Sequence, residues 1–328
     1  MPRSVLSGVV RVSPVLLLGL ILVSSCGEGT DTAGKPEDTS PNKTEQIRTN
    51  PIDPDLSNMV YVEGGAFQMG SNDNKPDERP VHEVTVNGFW METHEVTNEQ
   101  FAKFVEETDY KTSADDFKNS IVFTGSEGPV DLRNVSAWWE IRDGTNWRHP
   151  EGPGSDIEGR MDHPVVHVSW EDAMAYAEWA GKSLPTEAQW EYAAKKGLTG
   201  DPKLPQANIF HGEFPYNNTV KDGYEATAPV GSFPPNSLGL YDMAGNVWEW
   251  CTDWYRYDYY SNSPKDNPTG PNSSLDPDEP NSPKKTIRGG SFLCHETYCS
   301  GFLPSTRMKT PPTDSHSHTG FRCVVNGR

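Results

Sequence analysis

Two cysteines near the C-terminal end of the chain, Cys294 and Cys299, have the residue type and the spacing for chemistry. Paired thiolates favour soft metal ions such as Cu(I) over hard cations, and copper can activate oxygen. In a chain with five cysteines, the same pair is equally compatible with a disulfide that closes a small loop. Spacing alone therefore leaves two alternatives open, a disulfide or a site of soft-metal or redox chemistry.

The elements that must position this pair are predicted to be short. Apolar patterning predicts strands at residues 59–62 and 81–86. The 29 glycines, 28 prolines and 10 tryptophans predict much irregular backbone that is held by aromatic packing. Long regular helices should accordingly be few.

Three helices are predicted, each after a residue whose hydroxyl can accept a hydrogen bond from the first turn: Thr97, Ser169 and Thr186. Gln100 completes a capping box with Thr97. Gly181 and Gly197 are placed to end the second and third helices. These caps fix where each helix begins, but they do not decide the fold.

The first 26 residues have the pattern of an export signal. Arg3 and Arg11 give a basic start, and residues 15–23 form an apolar stretch that is too short to span a bilayer as a mature helix. Small residues then lead into Cys26, an order similar to that of a bacterial lipoprotein signal. We expect lipidation at Cys26 and an anchor in the bacterial cell envelope, on its periplasmic or surface face. The alternative is an ordinary signal peptide cleaved nearby, and either signal predicts export.

Composition divides the rest of the chain in two. Residues 27–55 contain almost no large apolar side chain, which predicts a disordered tether, whereas residues 56–328 are predicted to form one folded domain. The formal net charge of −19 makes nucleic acid an improbable partner. An acidic surface suits the binding of calcium and of cationic peptides, although most of the surface carboxylates are expected simply to be solvated.

Several sequence blocks resemble the formylglycine-generating enzyme (sulfatase-modifying factor) family, and they follow the family's order: residues 163–170, 184–192, 239–250 and 288–291. Three further segments are more typical of the enzyme itself: residues 146–153, residues 207–215, and the cysteine pair with residues 320–323 after it. The resemblance runs from about Met59 to Cys323.

This resemblance implies an α+β, C-type-lectin-like single domain with little regular secondary structure. It also implies an oxidase that uses copper and O₂ to convert a sulfatase cysteine, in a Cys-x-Pro-x-Arg context, to Cα-formylglycine. The partner would be an unfolded exported sulfatase polypeptide, while the oligomeric state stays open. Cys294 and Cys299 would hold Cu(I), and a reversible disulfide between them is expected in metal-free protein.

The family resemblance also assigns roles to other residues. Ser291 and Trp248 would line the oxygen and copper pocket, His295 and Tyr298 would flank the reacting sulfur, and Arg307 would anchor the active-site loop or the peptide. Two structural Ca²⁺ sites are implied, with mixed carbonyl and carboxylate ligands. The first set is Asn208, Ile209, Asp222 and Tyr224; the second is Asp242, Gly245, Val247 and Glu249. For Glu249 the alternative is a buried carboxylate paired with an arginine or a cap.

Four cysteines remain after the lipidated Cys26, and four cysteines allow three pairings. If Cys294 and Cys299 form one functional set, Cys251 and Cys323 are left over, and both follow blocks that converge on the same site. A disulfide between Cys251 and Cys323 is therefore a hypothesis.

The chain also departs from the family. Residues 301–303 read Gly-Phe-Leu where well-known members have Arg-Tyr-Arg, and residues 310–313 replace an Asn-Thr-Pro-Asp segment. We expect these changes to alter which sulfatase peptides are accepted. Two other functions stay open: a non-catalytic C-type-lectin-like surface lipoprotein, and an iron-dependent sulfoxide synthase. The second would need an additional N-terminal helical domain, for which the tether leaves no room.

Overall fold

A computed structural model describes residues 53–203, 205–295 and 297–327. The predicted signal with Cys26, and the tether up to residue 52, lie outside these residues. Within the described ranges, no helix is long and apolar enough to cross a membrane.

The helices are short, and each begins at a capping box. Their bounds are α1 Asn98–Thr108, α2 Ser113–Phe117, α3 Trp170–Trp179 and α4 Glu187–Lys196. The caps at Thr97, Ser169 and Thr186 are confirmed, because each hydroxyl accepts from the third residue of its helix. Helix α2, which Thr112 caps, was not predicted from the sequence. At five residues, α2 is too short to show helical periodicity.

The strands are also short, and within the described ranges they form five small sheets. The first nine strands are β1 Met59–Val62, β2 Gly65–Met69, β3 His82–Val86, β4 Phe89–Glu92, β5 Asn119–Phe123, β6 Trp139–Asp143, β7 Gly212–Glu213, β8 Asn217–Asn218 and β9 Trp248–Trp254. The last four are β10 Lys285–Arg288, β11 Met308–Thr310, β12 Thr319–Gly320 and β13 Val324–Asn326. The predicted strands at 59–62 and 81–86 are confirmed as β1 and β3.

One four-stranded sheet, in the order β11-β10-β9-β12, carries the elements on either side of the cysteine pair. Strands β9, β10 and β11 are antiparallel neighbours, whereas β12 runs parallel to β9. The loop of residues 289–307, which contains Cys294 and Cys299, joins β10 to β11. A second sheet has the order β1-β4-β13, and the remaining strands pair as β2-β3, β5-β6 and β7-β8.

Three apolar clusters make up the core of the described part of the domain. The first includes Phe101, Phe104 and Tyr176 of α1 and α3 and extends to Trp248 and both cysteines of the pair. The second packs α4 against β2, β3 and β4, and the third is formed by aromatic residues including Trp138 and Phe214. Aromatic packing thus holds together loops that have no regular hydrogen bonding, as the composition predicted.

A buried ion-pair network ties the cysteine loop to α4. Arg288, at the end of β10, contacts Glu187 at 2.8 Å and Glu191 at 2.6 Å. Arg307, just before β11, binds both oxygens of Glu187 at 2.6 and 3.0 Å. Burial alone would raise the pKa of Glu191, but Arg288 and Lys195 outweigh it and hold that pKa below its ordinary value. Both ends of the loop are therefore attached to one helix.

Replacing Glu187 by Gln should destabilise the fold, because two buried guanidinium groups would lose their shared counter-charge. Removing one partner of a buried ion pair costs about 3–5 kcal/mol. The free energy of unfolding in urea measures this loss, and the exposed Asp131→Asn variant, which touches only the exposed Arg133, is the control. Equal stability of Glu187→Gln and wild type would contradict the role given to the network.

Candidate active site

The two cysteines predicted to do chemistry lie against each other. Cys294 and Cys299 are disulfide-bonded in the structure, with their Cα atoms 5.4 Å apart. Both residues are buried, and Cys299 is the more exposed of the two, at 8% against 1%. This contact fits both alternatives, because a disulfide and a shared metal ion each require adjacent sulfur atoms.

Local turns bring the two sulfurs together. The backbone N–H of Cys294 donates to the carbonyl of Ser291 at 2.8 Å, and the N–H of Cys299 donates to the carbonyl of His295 at 3.0 Å. Other blocks of the sequence hold this loop in place. Phe292 donates to the carbonyl of Asn246 at 2.9 Å, and Phe210 donates to the carbonyl of Cys294 at 3.1 Å. The blocks that carried the resemblance therefore converge on the cysteine pair.

Ser291 and Trp248 lie beside the pair. Ser291 is fully buried; its N–H points at the Cys294 sulfur at 3.4 Å, and its hydroxyl oxygen accepts from the N–H of Leu293 at 3.2 Å. Trp248 belongs to the same apolar cluster as both cysteines and Phe302. One wall of the site is thus apolar, and a backbone donor faces one sulfur.

His295 and Tyr298 belong to the turn between the two cysteines. The Nδ1 atom of His295 is 2.8 Å from the hydroxyl of Thr297. The ring of Tyr298 stacks on Phe214 at 4.4 Å and meets Trp138 edge-on at 5.8 Å. Burial raises the pKa of Tyr298 above its ordinary value, so the phenol stays protonated at neutral pH.

Arg307 cannot touch a bound peptide, which corrects one of the two roles expected for it. Its side chain is 1% exposed, and it donates to Glu187, to the carbonyl of Asp77 and to the carbonyl of Arg256. Its donors are thus directed to protein oxygen atoms in the interior. Arg307 anchors the loop, which is the other role expected for it.

The departure at residues 301–303 lies in the core beside the cysteines. A Cβ atom on Gly301 would come within 2.5 Å of Trp248 Cη2 and 2.7 Å of the Cys294 sulfur. A Cβ atom on Gly290 would likewise come within 2.7 Å of the carbonyl carbon of Gly301. Phe302 packs in the same cluster as the pair. Position 301 therefore accommodates only a glycine at this distance, and the change bears on the packing of the site.

Four residues expected to bind the first calcium ion lie close together. The carboxylate of Asp222 accepts from the N–H of Ile209 at 3.0 Å and from the N–H of Tyr224 at 3.1 Å. The side-chain nitrogen of Asn208 donates to the carbonyl of Ala226 at 2.8 Å, while its buried Oδ1 has no partner among the described residues. A hard cation would supply that partner, so these residues fit the expected ion.

The second expected calcium set is arranged differently. Glu249 is fully buried and pairs with Arg322 at 2.7 and 2.8 Å, which is the alternative considered for it. Asp242 accepts from the N–H of Gly231 at 2.7 Å. Beside them lies Glu95, a residue that the sequence analysis missed: it is fully buried, and neither carboxylate oxygen has a hydrogen-bond partner among the described residues.

Charge in this second cluster is unbalanced, since three buried carboxylates surround Arg322. Burial, and then the neighbouring Asp242, raise the pKa of Glu95 well above its ordinary value. Burial likewise raises the pKa of Asp242. Among the described residues, Glu249 forms an ion pair with Arg322, whereas Glu95 and Asp242 form none. Within the described part of the chain, no three His, Cys, Asp or Glu side chains gather as a ready-made metal site.

The hypothesis of a disulfide between Cys251 and Cys323 is wrong for this structure, because both are free buried thiols. Cys251 on β9 packs in the second apolar cluster, and Cys323 packs in the first. Burial raises the pKa of each thiol well above its ordinary value, which keeps both protonated and unreactive.

Comparison with known proteins agrees with this geometry. The structure is similar to PvdO from Pseudomonas aeruginosa, with a TM-score of 0.58 and 25% identity over 82% of this chain and 94% of that one. A family model described as a sulfatase-modifying factor enzyme 1-like domain matches residues 43–327. The chain belongs to this family, and the predicted α+β fold with little regular secondary structure is confirmed.

Two relatives match this chain over most of its length. The formylglycine-generating enzyme of Mus musculus is 43% identical over 83% of this chain and 76% of its own length. The formylglycine-generating enzyme of Thermomonospora curvata is 44% identical over 82% of this chain and 93% of its own length.

Replacing Gly301 by Ala should destabilise the protein, because the added methyl group would displace the Trp248 ring or the Cys294 sulfur. Overpacking of this kind costs about 1–3 kcal/mol. The free energy of unfolding in urea measures the effect. Gly128→Ala is a matched control, since a Cβ atom there meets nothing within 4 Å. Equal stability of the two variants would contradict the close approach.

Proposed function

We propose that this protein is a formylglycine-generating oxidase, which converts a cysteine of a sulfatase polypeptide to Cα-formylglycine with O₂ as oxidant. The observation that carries the proposal is the Cys294–Cys299 pair, held in an apolar cluster within a chain of this family. The names of its relatives from Mus musculus and Thermomonospora curvata support the same activity.

In its reduced form, the pair offers two thiolates to Cu(I), the ion that suits soft sulfur ligands. When bound there, copper would supply oxygen activation and a binding place for the thiol of the substrate. The N–H of Ser291 stabilises the Cys294 thiolate, because a hydrogen bond to a charged form favours that form. Trp248 and Phe302 keep water from the sulfurs.

The reaction balances if an external thiol takes part. The substrate cysteine loses two electrons and two protons to become a thioaldehyde, and two external thiols lose two more as they form a disulfide. Together these reduce O₂ to two molecules of water. One molecule of water then hydrolyses the thioaldehyde to the aldehyde of formylglycine and releases hydrogen sulfide.

Each cysteine of the pair should be indispensable. Cys294→Ser and Cys299→Ser should each lose formation of the aldehyde in a Cys-x-Pro-x-Arg peptide, when protein, Cu(I), O₂ and a thiol reductant are incubated and analysed by mass spectrometry. Cys251→Ala should keep it, because that thiol lies in another cluster. Failure of the wild-type protein to convert any of several sulfatase peptides would favour the non-catalytic surface lipoprotein.

We further propose two structural calcium ions, one at Asn208, Ile209, Asp222 and Tyr224, and one at Asp242 and Glu95 with the carbonyls of Gly245 and Val247. The support is that Oδ1 of Asn208 and the carboxylate of Glu95 are buried with no hydrogen-bond partner in the described part of the chain. Each ion would join loops that have few hydrogen bonds of their own. Ligand binding at one hundred times the dissociation constant stabilises a protein by about 2.7 kcal/mol.

Chelation with EGTA should lower the melting temperature of the wild-type protein. Asp222→Asn and Glu95→Gln should each lose part of this response, and the double variant should lose all of it. In EGTA, Glu95→Gln should be at least as stable as wild type, because it buries no charge. Asp73→Asn, at an exposed position, is the control. A full EGTA response in the double variant would contradict both sites.

The proposed location follows from the first 26 residues. We propose that lipid on Cys26 anchors the protein to the bacterial cell envelope, with the domain held off the membrane by residues 27–55. A sulfatase would then meet the oxidase as an exported polypeptide that is still unfolded.

A further inference from the structure

Resting on the proposed function and its first calcium ion, we propose that Asn246 is a positioning residue. Its side chain joins that calcium site to the cysteine loop, so that Ca²⁺ and Cu(I) bind cooperatively. Asn246 is fully buried and stands between Gly245 and Val247, two residues of the second expected calcium set. No role was assigned to Asn246 from the sequence.

The backbone of Asn246 links two separate stretches of the chain. Its N–H donates to the carbonyl of Asn208 at 2.9 Å, and its carbonyl accepts from the N–H of Phe292 at 2.9 Å. Asn208 belongs to the first calcium set, and Phe292 precedes Cys294 by two residues. The φ angle of Asn246 is 57°, in the left-handed region that asparagine adopts more readily than most residues. One residue therefore contacts the calcium site on one side and the cysteine loop on the other.

The side chain of Asn246 holds the same junction. Its Oδ1 atom accepts from the side-chain nitrogen of Asn208 at 3.1 Å and from the N–H of Ala228 at 2.9 Å. The side-chain nitrogen of Asn208 also donates to the carbonyl of Ala226 at 2.8 Å. Both donor positions of the Asn208 amide are thus used, which leaves its Oδ1 atom for a cation. Asn246 thereby orients a calcium ligand.

A second link runs beside the first. Ile209, also in the first calcium set, is followed by Phe210, whose N–H donates to the carbonyl of Cys294 at 3.1 Å. The loop that contains Cys294 has little regular structure, so contacts with residues 208–210 and with Asn246 hold its first turn. A cation that orders residues 208 and 209 also orders this turn, and less ordering is then left for Cu(I) to impose.

Cooperative binding can be measured in both directions, because each ligand must change the affinity for the other by the same factor. We expect saturating Ca²⁺ to tighten Cu(I) binding by the reduced protein at least about 5-fold, and Cu(I) to tighten Ca²⁺ binding equally. Competition with a chromophoric Cu(I) chelator measures the first effect, and calorimetry without oxygen measures the second. All proteins carry Glu95→Gln, so that Ca²⁺ acts through the first site alone.

Three variants separate positioning from stability. Asn246→Gly tolerates the left-handed backbone and keeps both backbone hydrogen bonds but removes Oδ1, and should reduce the coupling factor to about 1. Asn246→Asp keeps an acceptor at the same place and should keep the factor, since the amide nitrogen of Asn246 has no partner among the described residues. Thr112→Ala removes the cap of α2, which lowers stability elsewhere, and should leave the factor unchanged.

Four outcomes would overturn the proposal: no effect of Ca²⁺ on Cu(I) binding when Asn246 is intact, an unchanged factor in Asn246→Gly, loss of the factor in Asn246→Asp, or an equal loss in Thr112→Ala. Aldehyde formation is scored separately. Coupling with this pattern but no aldehyde overturns only the oxidase, and aldehyde without coupling overturns only the role of Asn246.

Discussion

The shared attachment of Arg288 and Arg307 to the carboxylates of α4 is the interaction on which the active loop depends. The loop between them has little regular structure, yet both of its ends meet Glu187, and Arg288 also donates to the carbonyl of Pro304 within the loop. Such pairs are costly to desolvate and costly to break. Their value here is positional, because they fix where the loop begins and ends, so that short turns suffice to bring two sulfurs together.

Between these two attachments, close packing of backbone and side chains arranges the site. Gly290 and Gly301 let two stretches of backbone pass against each other, and Trp248 fills the remaining space beside Cys294. Among the described residues, two buried polar groups inside the domain lack hydrogen-bond partners: the carboxylate of Glu95 and Oδ1 of Asn208. A folded chain keeps such groups where something else completes them. The proposed calcium ions would complete these.

The sequence allowed the fold to be predicted where its signals are local. Three capping residues, one of them in a predicted capping box, indicated three helices, and two apolar runs indicated two strands. Helix α2 was missed because five residues cannot show periodicity. The predicted disulfide between Cys251 and Cys323 is absent from the structure, where both thiols are free. The prediction failed because the number of remaining cysteines does not show in which core cluster each thiol is packed. Glu95 could not be recognised, since a glutamate next to a strand usually faces water, and only the fold shows its burial.

The position of residues 301–303 in the fold is a further feature that the sequence alone could not show. Residues 301–303 were expected to affect the peptide-binding groove, but the fold places Gly301 and Phe302 against the cysteines. The departure from the family therefore bears on how the sulfurs are packed.

The central claim is that the paired cysteines are a two-thiolate metal site to which a substrate thiol is added. Copper X-ray absorption on the reduced full chain loaded with Cu(I), recorded without oxygen before and after addition of a cysteine peptide, tests it most directly. The account predicts sulfur ligation by the protein alone and one additional sulfur ligand with the cysteine peptide, but none with the matching serine peptide. Ligation by nitrogen or oxygen, or a spectrum that the cysteine peptide leaves unchanged, would contradict it.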